Sequence, residues 1–468
     1  MIRNLDVFQK LCQLVKKALP LIETAKEGAF YPDKISKYPN LETAKSGFPS
    51  ISLYPSPIDI SRFWRPRYEG STAEIPLHDF PEFHWLFEKL KSTPEYAKFF
   101  RLAGKEEADD KTFSFLIEDY IESFVERYYY IHGLVFFKKK FEKIYLLAEN
   151  FMYADIVHFD LGIPILFLKL DIDNFKINDQ LAIRRINSEN QRARYKVTTY
   201  SPHIVESVYM SATHEFVLKN LQYIRQPTFY SSFHFDNSRL YPINYFERIF
   251  TILKLVTDFT SGFAQILIYP NDWADRYFAD LRDINGMMLR NYPVEFDEFY
   301  WNRNSFPIVS KKQLSIFRRL FNRLDKLENK VDIALKRLYK SMMRENEEDI
   351  VIDLIIALEL LLSDNEKNDI SYKLAMRIAA LLCEHGENNY KSSIVFSNVK
   401  KMYDYRSAIV HGSTKKLASK REVSLPDNQT MPVVEIAKEY LREILRIMIE
   451  HPIYLDSKEV DAILLRNN

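Results

Sequence analysis

Apolar residues near the start of the chain, Leu5, Phe8, Leu11, Val15 and Leu19, stand three or four apart with charged residues between them, which predicts an amphipathic helix. A second stripe, Phe113, Leu116, Ile117, Tyr120, Ile121, Phe124 and Val125, predicts a helix from Lys111 onward, and helical spacing resumes from Phe141 to Ala148. The period then changes. From Ile163 to Ile186 short β-branched runs are separated by Asp and Asn, which is strand chemistry. Ser188 with Gln191 offers a capping box for a short helix. A helix over about Asn244 to Thr260, closed at Gly262, leads into the strand-like FAQILIYP. Upstream, nine of the 20 prolines fall between Pro32 and Pro94, which predicts irregular backbone there.

From Lys311 the pattern is helical almost throughout. Leu314, Phe317, Phe321, Leu324, Val331, Leu335, Leu338 and Met342 read as one long helix with a narrow apolar seam. Asp349 to Leu362 is apolar nearly all round, as in a helix enclosed by others. Ser371 to Cys383 and Lys391 to His411 follow, closed by Gly386 and Gly412, and Met431 to Glu450 begins beside Pro432 and stops before Pro452. Short connections between five helices predict an antiparallel bundle. The fold class is α+β, predominantly helical. An irregular Pro- and aromatic-rich segment over 1–110 precedes a mixed α+β region over 111–300 and a helical bundle over 305–468.

Composition narrows the chemistry. Lys plus Arg is 65 against 64 for Asp plus Glu in 468 residues, so a polyanion partner must be met by a local patch. Only 10 glycines occur, where average usage is about 7%, and the closest pair, Gly28 and Gly47, excludes glycine-rich phosphate loops. Cys12 and Cys383 are too few for a disulfide framework, so a reducing, cytoplasmic setting is expected, with Cys383 read as a core thiol. The longest apolar stretch, Ile350 to Leu362, is shorter than the roughly 20 residues of a membrane span, and no membrane partner is expected.

His214-Glu215 begins like a zinc-protease motif, but Leu218 stands where the second histidine belongs. Asp171 and Asp173 read as a solvated strand end, and Lys138, Lys139 and Lys140 as a wet face; no metal or cofactor is expected. Three Arg/His pairs remain, Arg127 with His132, Arg406 with His411 and Arg446 with His451. Arg406 is set apart because it falls on the apolar stripe Val395, Val399, Met402 and Ile409, where a guanidinium needs an acidic partner. Glu359, inside the apolar helix, has the opposite need, and Arg377 competes for it. Gly412 lets His411 swing over the helix end. The other two pairs read as helix packing.

DIVIDLIIALELLL (Asp349 to Leu362), ISYKLAMRIAALL (Ile370 to Leu382) and VKKMYDYRSAIVHG (Val399 to Gly412) together resemble the Apea-like branch of the HEPN superfamily over about 305–468. Phe167 to Arg194 resembles, more loosely, a segment found upstream of such domains. The resemblance implies a helical bundle, commonly dimeric, and in many members a metal-independent endoribonuclease with an R-x4-6-H motif. Arg406 and His411 match that motif as catalytic residues, with Ser407 where Asn, Asp or His is frequent. Glu359 would support Arg406. Metal-free RNA cleavage needs a proton-transfer group and a fixed cation, which His and Arg supply. Between Lys311 and Arg421 there are 22 Lys plus Arg against 15 Asp plus Glu, and Lys415, Lys416, Lys420 and Arg421 are placed to track an RNA backbone. The expected partners are RNA, a second copy of the chain, and a phage-derived or other trigger on the N-terminal region, as in a bacterial antiviral or abortive-infection effector. The alternative is a catalytically silent HEPN module for dimerisation or for binding RNA or a nucleotide.

Overall fold

The computed structural model describes residues 1–27, 39–53, 60–64, 75–100, 109–197, 204–224, 235, 237–364, 369–412, 420–425 and 429–466. The fold is mixed α+β and predominantly helical. The chain forms two compact units whose segments interleave: 1–164, 179–241 and 264–290 in one, and 165–178, 242–263 and 291–468 in the other.

In the first unit, α1 (Leu5–Glu27) buries Phe8, Leu11, Val15 and Leu19, the stripe seen in the sequence. It packs on α2 (Pro81–Ser92), α3 (Asp110–His132) and α4 (Lys138–Tyr153). The expectation of irregular backbone through Pro94 fails at α2. Pro81 occupies the first turn of the helix, where its missing N–H has no intrahelical role, so it starts the element.

Beside these helices lies an antiparallel sheet with β1 (Ile156–Pro164) at its centre. Its strands β2 (Leu181–Arg185), β3 (His214–Ile224), β4 (Phe263–Pro270) and β5 (Asn285–Asn291) stand in the order β2-β3-β1-β4-β5. The short helix α5 (Ser188–Arg194) is capped one residue earlier than expected: the Asn187 side chain accepts the Asn190 N–H at 2.8 Å, leaving Ser188 at the first helical position. Glu215 of β3 is fully buried, bonded by Arg184 Nε at 2.7 Å and the Tyr269 hydroxyl at 2.7 Å. Gly162 of β1 permits this cluster, because a Cβ there would lie 2.2 Å from Glu215 Oε2.

The second unit is built on α6 (Ile243–Thr257), which closes at Asp258 in the left-handed region (φ 57°) before reaching Gly262. The single long helix expected after Lys311 is two, α7 (Lys311–Phe321) and α8 (Asn329–Met343). A 3₁₀ turn at Leu324–Lys326 and extended backbone at Leu327 and Glu328 separate them. Leu324 stays buried through the break, so the apolar period conceals it.

Next come α9 (Glu347–Leu362), α10 (Ile370–His385), α11 (Ser392–Val410), α12 (Val433–Glu450) and α13 (Ser457–Arg466). Helices α8, α10, α11 and α12 pack around α9, which accounts for its apolar residues on nearly every side. Asn346 caps it, accepting the Glu348 and Asp349 N–H groups. A hairpin absent from the sequence expectations, β6 (Glu422–Ser424) with β7 (Thr430–Pro432), lies against α11 and α12. Cys383 is exposed on α10, so the core-thiol expectation fails, and its Sγ faces the Tyr390 carbonyl at 3.4 Å. Among the described residues no helix is long and apolar enough to cross a membrane.

Candidate functional site

Helix α11 presents Val395, Val399, Met402 and Ala408 to the core, and Arg406 shares the margin of that face. Its guanidinium is 27% exposed and Nη1 lies 3.5 Å from Glu359 Oε1 of α9, itself 21% exposed. The same carboxylate oxygen accepts the Tyr403 hydroxyl at 2.6 Å. The Arg406 guanidinium also stands 5.4 Å from the centre of the Tyr403 ring. Tyr403 and Arg406 are three residues apart, so one helical face carries both toward Glu359. Burial, then the hydrogen bond to Glu359, pushes the Tyr403 hydroxyl up to about 12, which keeps it a donor near neutral pH. Arg406 Nε is buried without a hydrogen-bond partner among the described residues.

Arg377 does not compete for Glu359. Its guanidinium is only 4% exposed and takes Asp461 through Nε and Nη2, both at 2.7 Å, with Asp364 at 2.9 Å and the Leu362 carbonyl at 2.7 Å. This closes α13 onto α10. Asp353, one and a half turns before Glu359, is buried and pairs with Arg337 and with Arg344 at 3.2 Å.

His411 is the C-cap of α11, with φ −92° and ψ 4°, and its N–H donates to the Ser407 carbonyl at 3.0 Å. Gly412 follows in the left-handed region (φ 64°), with open space where a Cβ would stand. His411 and Ser407 are both exposed, and His411 makes no hydrogen bond to Arg406, Glu359 or Tyr403. The structure thus joins Glu359, Tyr403 and Arg406 and leaves the imidazole open to solvent one turn on.

Of the four cations after the motif, Lys415 and Lys416 lie outside the described residues. Lys420 pairs with Asp404 at 3.0 Å, and Arg421 Nε with Glu347 at 3.1 Å. Solvent screens exposed pairs of this kind, so a polyanion exchanges with them at little cost. The competing Arg/His pairs are packing features. Arg127 donates to the carbonyls of Ala279 and Leu281, and Arg446 is held by Glu387 and Glu443 at 2.9 Å. Asp171 and Asp173 are exposed, and no group of three or more His, Cys, Asp or Glu suited to a metal occurs among the described residues.

Sequence reasoning missed Tyr403, whose i, i+3 relation to Arg406 was the available signal, and the carboxylates Glu347 and Asp404 that hold the downstream cations. The chain matches no family model, no curated protein and no solved structure.

Proposed function

We propose that the C-terminal bundle is a HEPN-type, metal-independent endoribonuclease with Arg406 and His411 as catalytic residues. The observation that carries this reading is the seat of Arg406: a partly exposed guanidinium on the margin of a helical core, held by Glu359 and backed by Tyr403, on the same helix that ends in a solvent-exposed histidine. Arg377, by contrast, is almost wholly buried and spends all three nitrogens on Asp461, Asp364 and the Leu362 carbonyl, which leaves no guanidinium edge for a phosphate.

In the proposed reaction the RNA 2′-hydroxyl gives its proton to an imidazole and attacks the adjacent phosphorus. Arg406 takes the charge that builds on the non-bridging oxygens. The 5′-oxygen leaves with a proton from an imidazolium, so the products are a 2′,3′-cyclic phosphate and a 5′-hydroxyl. In-line attack puts the 2′-oxygen and the leaving 5′-oxygen on opposite sides of phosphorus, out of reach of one imidazole, so two chains related by a two-fold axis each supply one His411. DNA lacks the nucleophile. The chain acts, in this reading, as a cytoplasmic antiviral or abortive-infection effector whose N-terminal region receives the trigger.

A silent bundle that only dimerises is favoured by one observation: Lys420 and Arg421 are both neutralised within the chain. Incubating purified protein with matched single-stranded RNA and DNA in EDTA separates the readings. The proposal requires cleavage of RNA alone; binding of RNA without cleavage, or cleavage only with added Mg²⁺, overturns it.

A further inference from the structure

The turn between α3 and α4, in the first unit, carries a surface that the nuclease reading leaves unused. Ile131, Leu134, Val135 and Phe137 are 42, 41, 64 and 50% exposed. Gly133 turns the chain at φ 71°, with open space around it. The turn is held firmly: the Tyr128 hydroxyl donates to the Val135 carbonyl at 2.9 Å and accepts the Phe137 N–H at 2.7 Å, and the Tyr128 ring packs on Phe136. Four apolar side chains are therefore presented to solvent by an ordered backbone.

Lys138, Lys139 and Lys140 follow at once, all exposed, in the first turn of α4. That turn has no acidic residue and no side-chain cap, and cations at a helix N-terminus oppose its dipole. From Ile131 to Lys143 four lysines face one carboxylate, Glu142. The positive field is also felt by His132, held below the ordinary histidine value by burial and then by Lys140, Arg127 and Lys143.

We propose that this turn is a peripheral docking site for an anionic lipid surface, with Val135 and Phe137 entering the acyl boundary and the lysines at headgroup level. A nucleic acid would satisfy the lysines and leave the apolar tip in water, whereas an anionic bilayer satisfies both. The absence of a spanning helix has no bearing on a surface of this kind.

The test uses the full chain in vesicle co-sedimentation. Binding is expected to mixed phosphatidylserine and phosphatidylcholine vesicles, and only weakly to pure phosphatidylcholine. Each lysine near an anionic surface contributes about a fivefold change in partition, so Lys138→Ala with Lys139→Ala and Lys140→Ala should weaken binding about a hundredfold. Val135→Asp with Phe137→Asp should also release the protein while its thermal transition shifts little, because Val135 is exposed and the half-exposed Phe137 ring gives up only its contact with the Lys140 ammonium, 4.7 Å from its centre. Equal wild-type binding to the two vesicle types, or none to either, overturns the proposal without recourse to variants. Vesicle binding that survives the aspartates and fails with the alanines means a general polyanion patch, and equally overturns it.

Discussion

Replacing Glu359 by Gln keeps the shape of the side chain and removes its charge. The pair with Arg406 spans 3.5 Å between groups 21 and 27% exposed, and is worth about 1 kcal/mol. The Tyr403 hydroxyl loses a charged acceptor and keeps a neutral one, a further difference of about 1 kcal/mol. The bundle should therefore lose roughly 2 kcal/mol, or about 4–8 °C in its thermal transition by calorimetry. The effect on chemistry is larger. With Nε lacking an acceptor among the described residues, an uncharged carbonyl at 359 and the Tyr403 ring at 5.4 Å then hold the guanidinium loosely, and a misplacement of about 1 Å costs on the order of a hundredfold in rate. Cleavage of a fluorescent single-stranded RNA, measured well below the transition, should fall by that order, with the protein folded. Wild-type cleavage by Glu359→Gln would refute the positioning role of the pair, and so would a loss above about 5 kcal/mol, which would mark Glu359 as a core strut.

Two further outcomes follow from other parts of the fold. His385 stacks on His451 at 4.8 Å and bonds the Tyr454 hydroxyl at 2.7 Å; burial first, then His451, holds it below its ordinary value. The unfolded chain then takes up this proton before the folded one does, so stability is full above the ordinary histidine value of about 6.5 and is lost as pH falls from there toward the depressed folded value. Denaturant midpoints of His385→Gln should fall less steeply across that window, and identical slopes would refute the linkage. Gly162→Ala forces a Cβ to within 2.2 Å of the Glu215 carboxylate and 2.4 Å of the Tyr269 ring, and should cost the first unit about 3 kcal/mol in urea unfolding; a change under about 1 kcal/mol would show that the cluster yields freely.

How much of this was legible depended on whether a residue's environment follows from periodicity. The amphipathic stripe of α1 and the all-round apolarity of α9 transferred directly, because burial alone produces those patterns. The break between α7 and α8 was hidden, since Leu324 is buried in a 3₁₀ turn as it would be in a helix. Prolines misled at α2, where position within the first turn reverses their meaning. At the candidate site, an arginine on an apolar stripe pointed to a carboxylate inside an apolar helix, and the two lie within ion-pair reach. The partner of Arg377 was beyond that logic. Asp461 comes from α13, 84 residues away, and a long-range ion pair leaves no periodic trace in the chain. The Arg184, Glu215 and Tyr269 cluster was invisible for the same reason, being assembled across β2, β3 and β4.

The most direct test of the central reading is the chemistry of the cut end. Purified protein and its His411→Ala variant, incubated with one defined single-stranded RNA in excess EDTA, should differ completely when the products are read by mass spectrometry. The wild type should leave 2′,3′-cyclic phosphate and 5′-hydroxyl ends, and the variant should leave the RNA intact while unfolding at the wild-type temperature, because an exposed residue at a helix end contributes little packing. Cyclic phosphate ends produced equally by both proteins, or 5′-phosphate ends from the wild type, would contradict it.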